Sequence, residues 1–459
     1  MAARPRLVET TLEAVVRRRK PAIHRLESSE KADFGDDVGF TEQETSTMAP
    51  PTSAPAAAFS PYQKFVVGLL AVLQFAVILD FMLMAPLGAL IMPALQISPK
   101  QFGLVVSAYA FAAGISGFVT AGFADRFDRK KILMFFYTGF LVGTLWCGLA
   151  PTFELLLAAR VFTGVFGGVI GSVVLAIATD LFEVSLRGRV MGLIQTAFAA
   201  SQVLGLPMGL YLSNKWNWHA PFIVLAVLGV AGLAIISAKL KPVDGHLGKP
   251  QEHSPFMHLF HTITEPRHLL PFLAVTLLAT GGFMLMPFSS AFLVHNLGID
   301  LHHLPAIYLC TGLCTMVFGP MIGKLADKIG KFKVFLFGSV LSSAIIMVYT
   351  HLELTPLWLV VVINVVMFVG IFSRMIPFQA MASQVPEATK RGAFNAISAS
   401  IQQVSGGVAS LIAGHIVTLG ADGTIQHFPI VGYVVVGTSA VTIFLVWNIQ
   451  KQLAARASA

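Results

Sequence analysis

Three ionisable side chains stand deep within apolar runs: Asp80 in LDFMLMAP, Arg160 in LLLAARVFTGVFGG and Arg374 in VGIFSRMIPF. A charge at the centre of a membrane helix costs roughly 2.5–3.5 kcal/mol on insertion scales. Such residues persist where they face a wet cavity or one another. An aspartate can bind and release a proton, whereas an arginine stays charged. Desolvation favours the neutral form of Asp80, and a nearby arginine favours its carboxylate. A cavity that opens to one side and then the other would change that balance, as a proton carrier requires. Asp80 and Arg160 are therefore read as proton-coupling residues. Arg374 is read as a cavity residue able to hold an anionic part of a substrate. The alternative is a buried ion pair that only fixes packing.

These residues need a scaffold that spans lipid. The chain has 459 residues, 55% hydrophobic and 12% charged, against about 25% charged in a soluble domain. From Tyr62 it runs in apolar stretches long enough to cross ~30 Å of hydrocarbon as helix. Twelve are expected, at about 64–94, 101–122, 131–151, 153–180, 187–211, 217–238, 269–296, 303–325, 332–351, 355–385, 391–419 and 428–450. Asp80 then lies ~24 Å from the inner end of its span at 1.5 Å per residue.

The expected fold is an all-α membrane protein, with twelve transmembrane helices in two pseudo-symmetric six-helix bundles. Residues 1–60 read as a disordered cytoplasmic tail, with Met48 as a possible later start. Residues 61–238 form the first bundle, 239–268 a cytoplasmic linker, 269–450 the second bundle and 451–459 a C-terminal tail. Lys and Arg concentrate in alternate loops, and the opposite loops hold only Lys100 and Lys215. That asymmetry predicts cytoplasmic termini. Cys147, Cys310 and Cys314 lie in apolar runs and read as small buried residues. No cofactor, metal site or nucleotide-binding loop is evident, and no nucleic-acid partner is implied.

The halves repeat. FMLM occurs at Phe81–Met84 and at Phe283–Met286, 202 residues apart, and only the first copy follows an acid; Gly282 precedes the second. GFADRFDRKKIL follows span two and GKLADKIGKFKVF follows span eight, with Asp125 and Asp327 at the same 202-residue offset. Arg187-Gly188 opens span five and Arg391-Gly392 opens span eleven. Internal duplication is characteristic of transporters that rock two halves around a central site.

At these loops the chain resembles the major facilitator superfamily and its G-x-x-x-D-R/K-x-G-R-K/R signature. The first copy departs from it, since Asp128 stands where glycine is usual, and the second keeps Gly330. Span four resembles the superfamily's arginine-bearing motif, with Arg160 followed by Gly164, Gly167, Gly168 and Gly171. Gly205, Pro207 and Gly209 form part of the span-five element typical of its antiporters and are assigned to helix packing. Similarity is greatest to the twelve-span drug:proton antiporter and sugar-efflux branch of bacteria.

The resemblance implies gating by Gly122, Asp125, Arg126, Arg129, Lys130, Asp180, Arg187 and Gly188, and in the second half by Gly323, Asp327, Lys328, Lys331, Arg391 and Gly392. In an outward-open state Asp125 is expected near Gly392, and Asp327 near Gly188, because a helix start favours a carboxylate by roughly 0.3–2 kcal/mol. Gln74, Tyr109, Gln202, Asn364 and Gln402 are the expected cavity groups beside Arg374; Gln195, Gln379, Asn395 and Gln403 are further candidates.

Together these features predict a secondary transporter, not an enzyme. It would be a monomer in the plasma (bacterial inner) membrane and move a small organic solute outward against protons. A proton-coupled importer, a uniporter and an uncoupled lipid or lysolipid transporter or sensor are the alternatives.

Overall fold

The computed structural model describes residues 59–121, 126–245, 247, 255–387 and 390–458. Helix starts are set by local chemistry. Ser60 accepts from the Gln63 backbone N–H while the Gln63 side chain accepts from the Ser60 N–H, a capping box that opens α1 (Pro61–Leu83). α1 ends at a turn containing Pro86, and the first span resumes as α2 (Gly88–Leu95). The span read as one helix is thus two, and Asp80 sits one turn before the break.

The next spans are α3 (Pro99–Ala121), α4 (Arg129–Cys147) and α5 (Phe153–Leu181). The fifth consists of α6 (Val184–Ala200), a π-helical turn (Ser201–Gly205) and α7 (Leu206–Lys215), and the sixth is α8 (Ala220–Lys239). Pro207 lacks an N–H and so cannot continue the α-helical ladder, which accounts for a widened turn just before it. The second half comprises α10 (Pro266–His295), α11 (Leu304–Ile329), α12 (Lys331–Thr350), α13 (Leu357–Ala382), α14 (Arg391–Ile416) and α15 (Phe428–Ser458).

Among the described residues eleven segments are long and apolar enough to cross a membrane. The remaining span, α4, carries Arg129, Lys130 and Lys131 in its first turn, which lowers its mean hydropathy. Val227, Leu228, Phe337 and Trp358 project apolar surface outward, as lipid solvent allows. Two elements escaped the sequence reading. The connection read as a linker carries the helix α9 (Pro255–Thr264). A small hairpin pairs β1 (Thr418–Leu419) with β2 (Ile425–Gln426) between α14 and α15. The segment read as a C-terminal tail continues α15 to Ser458. Most of the N-terminal tail lies outside the described residues.

The halves meet at the end opposite the Lys- and Arg-rich loops. There a Cβ on Gly103 would lie 2.8 Å from the Ser410 carbonyl oxygen and 3.2 Å from the Gly414 Cα, so α3 and α14 touch through backbone. The Ser290 hydroxyl donates to the Ala85 carbonyl (3.2 Å), joining α10 to the break in the first span. Asn214 donates to the Leu301 carbonyl (2.8 Å). A Gly103→Val variant should prise this seam open, because backbone cannot yield as a flexible side chain can. Spin labels at Ser98 and Asp422 should then move apart by several ångströms; an unchanged distance would show that the seam does not depend on this contact.

Candidate functional site

Span four builds the first part of the site. Arg160, Gly164 and Gly168 follow one another at four-residue spacing and so share a helix face. Added Cβ atoms on Gly164 and Gly168 would collide with the backbone of Tyr109 and Ala113. The missing side chains therefore bring α5 against α3, and the same face carries the Arg160 guanidinium beneath the Tyr109 ring, 4.3 Å from its centroid. Arg160 Nη1 donates to Asp80 Oδ2 at 2.9 Å. Thr144 Oγ1 donates to Asp80 Oδ1 at 3.1 Å. Asp80 is 0% exposed and Arg160 1% exposed. Arg160 Nε has no hydrogen-bond partner. The fold thus joins the two charges that the sequence singled out. Thr144 was missed, because a lone threonine in an apolar span resembles any helix-packing residue.

Gly205 and Gly209 seat the fifth span on α1. Added Cβ atoms would strike Leu79 and Leu83, the neighbours of Asp80 along the same helix. With Pro207 between them, these residues hold α1 close to the π-helical turn.

A cavity of about 1460 Å³ lies between the halves. It extends from Tyr109 and Phe81 at mid-depth to Arg129, Thr179 and Gly392 at the basic end. Gln74, Tyr109, Gln202, Asn364 and Gln402 all line it. The Gln74 and Gln202 side-chain oxygens are buried without partners, while Asn364 donates to the Val360 carbonyl of its own helix (3.0 Å). Asp80 and Arg160 do not line the cavity; Tyr109, which touches Arg160 and lines the cavity, stands between. Phe81 lies 5.3 Å from the Tyr109 ring and 5.8 Å from Phe283, so the two FMLM copies meet across the halves.

Among the described residues the second half has no equivalent ion pair. Starting residues of α5 and α13 are 204 apart, which sets Asn364 opposite Arg160 in the repeat, as Gly282 is opposite Asp80. Its buried cation is instead Arg374, in the second half of α13 and 4% exposed. Nη1 of Arg374 donates to Ser439 Oγ at 3.0 Å. Nη2 has no partner. A separate recess of about 420 Å³ adjoins the main cavity here and is lined by Arg374, Gln379 and Ser398.

At the basic end, Arg129 Nε pairs with Asp180 at 3.1 Å. Asp128 accepts the backbone N–H groups of Lys130 (2.8 Å) and Val243 (3.0 Å). It caps α4 and docks the segment after α8, which gives a structural reason for an acid in place of the usual glycine. Lys130 Nζ donates to the Ser237 carbonyl (2.9 Å). Gly330 in the second loop has φ +105°, a conformation that only glycine adopts readily. Arg187 Nε donates to the Phe182 carbonyl (3.0 Å). Asp327, Lys328, Arg391 and Gly392 are exposed, Gly323 and Lys331 are half-buried, and Cβ atoms on Gly188, Gly323 or Gly392 would meet nothing within 4 Å. Arg126 is exposed. Gly122 and Asp125 lie outside the described residues. Lys390 donates to Glu265 at 3.0 Å and holds that carboxyl below the usual range, which ties the start of α14 to that of α10.

The family model described as the Major Facilitator Superfamily matches residues 70–410 and, in a second match, 271–455. The uncharacterised MFS-type transporter YceJ of Bacillus subtilis is 30% identical over 275 residues, 59% of this chain and 69% of that protein. Multidrug resistance protein 3 of the same organism is 29% identical over 136 residues, 30% of this chain and 27% of its own length. Among solved structures, a bacterial homologue of the human lysosomal transporter Spinster, inward-facing and unoccupied, superposes with a TM-score of 0.60 at 16% identity, covering 85% of this chain and 96% of that one. The nucleoside transporter NupG gives a TM-score of 0.64 at 14% identity, covering 84% and 99%.

Proposed function

The chain belongs to the Major Facilitator Superfamily, a family of membrane transporters, and we propose that it exports a small organic solute in exchange for protons by alternating access. The observation that carries this reading is the Asp80–Arg160 pair, 2.9 Å apart and shut behind Tyr109 beside a 1460 Å³ cavity. A passive pathway has no use for a buried titratable acid next to its cavity. Similarity to a multidrug resistance protein supports outward transport.

With the basic loops in the cytoplasm, the cavity faces inward and the outer seam is closed. Solute enters between the halves while Arg160 and Thr144 hold the Asp80 carboxylate. Opening the outer seam separates α10 from the break that follows α1. Asp80 lies one turn from that break, so the movement alters its contact with Arg160 and admits water from outside. A proton taken up there neutralises the acid. Return to the inward-open state restores the Arg160 contact and releases the proton to the cytoplasm. The bacterial inner membrane is the expected setting, with the chain working as a monomer.

Everted vesicles with an imposed pH gradient, screened over sugars, drugs and lysolipids, test the function. Solute uptake that collapses with the gradient is expected; uptake indifferent to it would leave a uniporter or an uncoupled carrier. Orientation has its own test. Cysteines introduced at Ser98 and Asp422 should react with an impermeant thiol reagent applied outside intact cells, and one at Lys249 should not. The reverse pattern would invert the topology.

A further inference from the structure

We propose that the Arg374 recess is the anion-binding subsite of the transport cavity, taking the carboxylate of an amphipathic organic acid whose apolar part lies among Phe283, Ile371 and Met375. This rests on the transport reading and names its substrate class.

Arg374 is buried and charged, and among the described residues it has no acidic partner. A buried charge ordinarily requires a counter-charge. Ser439 does not supply one. Its hydroxyl donates to the Val435 carbonyl (2.8 Å) and accepts Nη1 of Arg374, so it only orients the guanidinium. Nη2 stays unpartnered, as does the buried Ser398 hydroxyl in the wall of the same recess. Two donors of one recess thus lack acceptors, and a carboxylate offers two oxygens in the planar spacing that a guanidinium matches.

The backbone positions this group deliberately. A Cβ on Gly338 would lie 2.7 Å from the Arg374 backbone nitrogen, so α12 packs directly on the turn that bears it. A Cβ on Gly281 would sit 3.6 Å from Nη2, in ordinary contact, so a carboxylate borne there would reach the guanidinium. Gly282 has open space beside it and lines both the recess and the main cavity. Phe283, Ile371 and Met375 also belong to both linings, as do the amides Gln195, Asn395 and Gln402, so the passage has an apolar wall beside a polar one. A polar head in the recess and an apolar body in the larger space fit this division.

The test uses the purified full chain in nanodiscs of neutral lipid, with binding measured by calorimetry for phenylbutyrate, phenylbutanol and phenylbutylamine. The carboxylate should bind at least about tenfold more tightly than the other two. Arg374→Gln should remove that preference. Gly281→Asp should do the same by furnishing an internal carboxylate, without lowering the melting temperature. Equal binding of acid and alcohol, or an undiminished preference in both variants, would overturn the proposal. A second arm adds phosphatidylglycerol to the nanodiscs. If it displaces phenylbutyrate while Arg374→Gln abolishes lipid binding, the site serves a lipid headgroup and the solute assignment falls. The transport reading is separable. Gradient-driven uptake of a solute that ignores Arg374 would sink only the subsite. Anion binding lost in Arg374→Gln, with no gradient-driven uptake of any solute, would sink only proton coupling.

Discussion

In proteoliposomes with an imposed pH gradient, Asp80→Asn should reduce solute accumulation to background while leaving solute exchange across an equal-pH membrane measurable. Asparagine keeps the size of the side chain and its ability to accept from Thr144, so the shape of the site is preserved, but Arg160 loses its counter-charge and the variant should also be less stable than the wild type. What disappears is the exchangeable proton. Asp80 is fully enclosed and holds Arg160 at 2.9 Å, so its two protonation states differ in which groups satisfy the arginine. Accumulation and exchange should therefore respond differently. Asp80→Glu should retain part of the accumulation with a displaced pH optimum, since the acid is kept but its reach to Arg160 is altered. Gradient-driven accumulation by Asp80→Asn at the wild-type rate would remove Asp80 from the coupling step.

Arg160→Ala should impair transport as severely by the opposite route. It strips the charge that favours the Asp80 carboxylate and leaves an acid with every reason to stay protonated. It also removes the guanidinium packed on the Tyr109 ring. Breaking a buried pair by deleting one partner costs roughly 3–5 kcal/mol where the remaining charge cannot be neutralised. Here Asp80 can be neutralised by a proton, so the loss of thermal stability should be smaller at low pH than at high pH. The double variant Asp80→Asn/Arg160→Ala should regain stability at all pH values and still fail to accumulate solute against a gradient. Recovery of both fold and gradient-driven transport in the double variant would make the pair a packing device.

Much of this architecture was open to sequence reasoning because lipid imposes coarse rules. Apolar runs must be long enough to span it, and charges within them must have a reason to be there. Hence the spans, the internal repeat and the three buried charges could be read directly. The gating assignments are a different matter. They came from resemblance, and the structure gives local roles to several of those residues. Asp128 is the clearest case. Its departure from the usual glycine has a counterpart in two backbone hydrogen bonds, one of them to Val243, 115 positions away. A single sequence carries no trace of such a partner.

The sequence by itself determined that this chain lives in lipid, that its two halves are copies, and that Asp80, Arg160 and Arg374 needed partners or water. Hydropathy and charge are properties of each residue and survive without coordinates. Only the tertiary structure decided how those needs are met. Asp80 and Arg160 are 80 positions apart and meet at 2.9 Å, while glycines at 164 and 168 set the arginine's helix against α3 and so place the guanidinium beneath Tyr109. Arg374 is also buried, yet among the described residues its neighbours supply one hydroxyl and no acid. Pairing in one half and an open cation in the other depend on which faces of the helices turn inward, and helix rotation is settled by packing between spans.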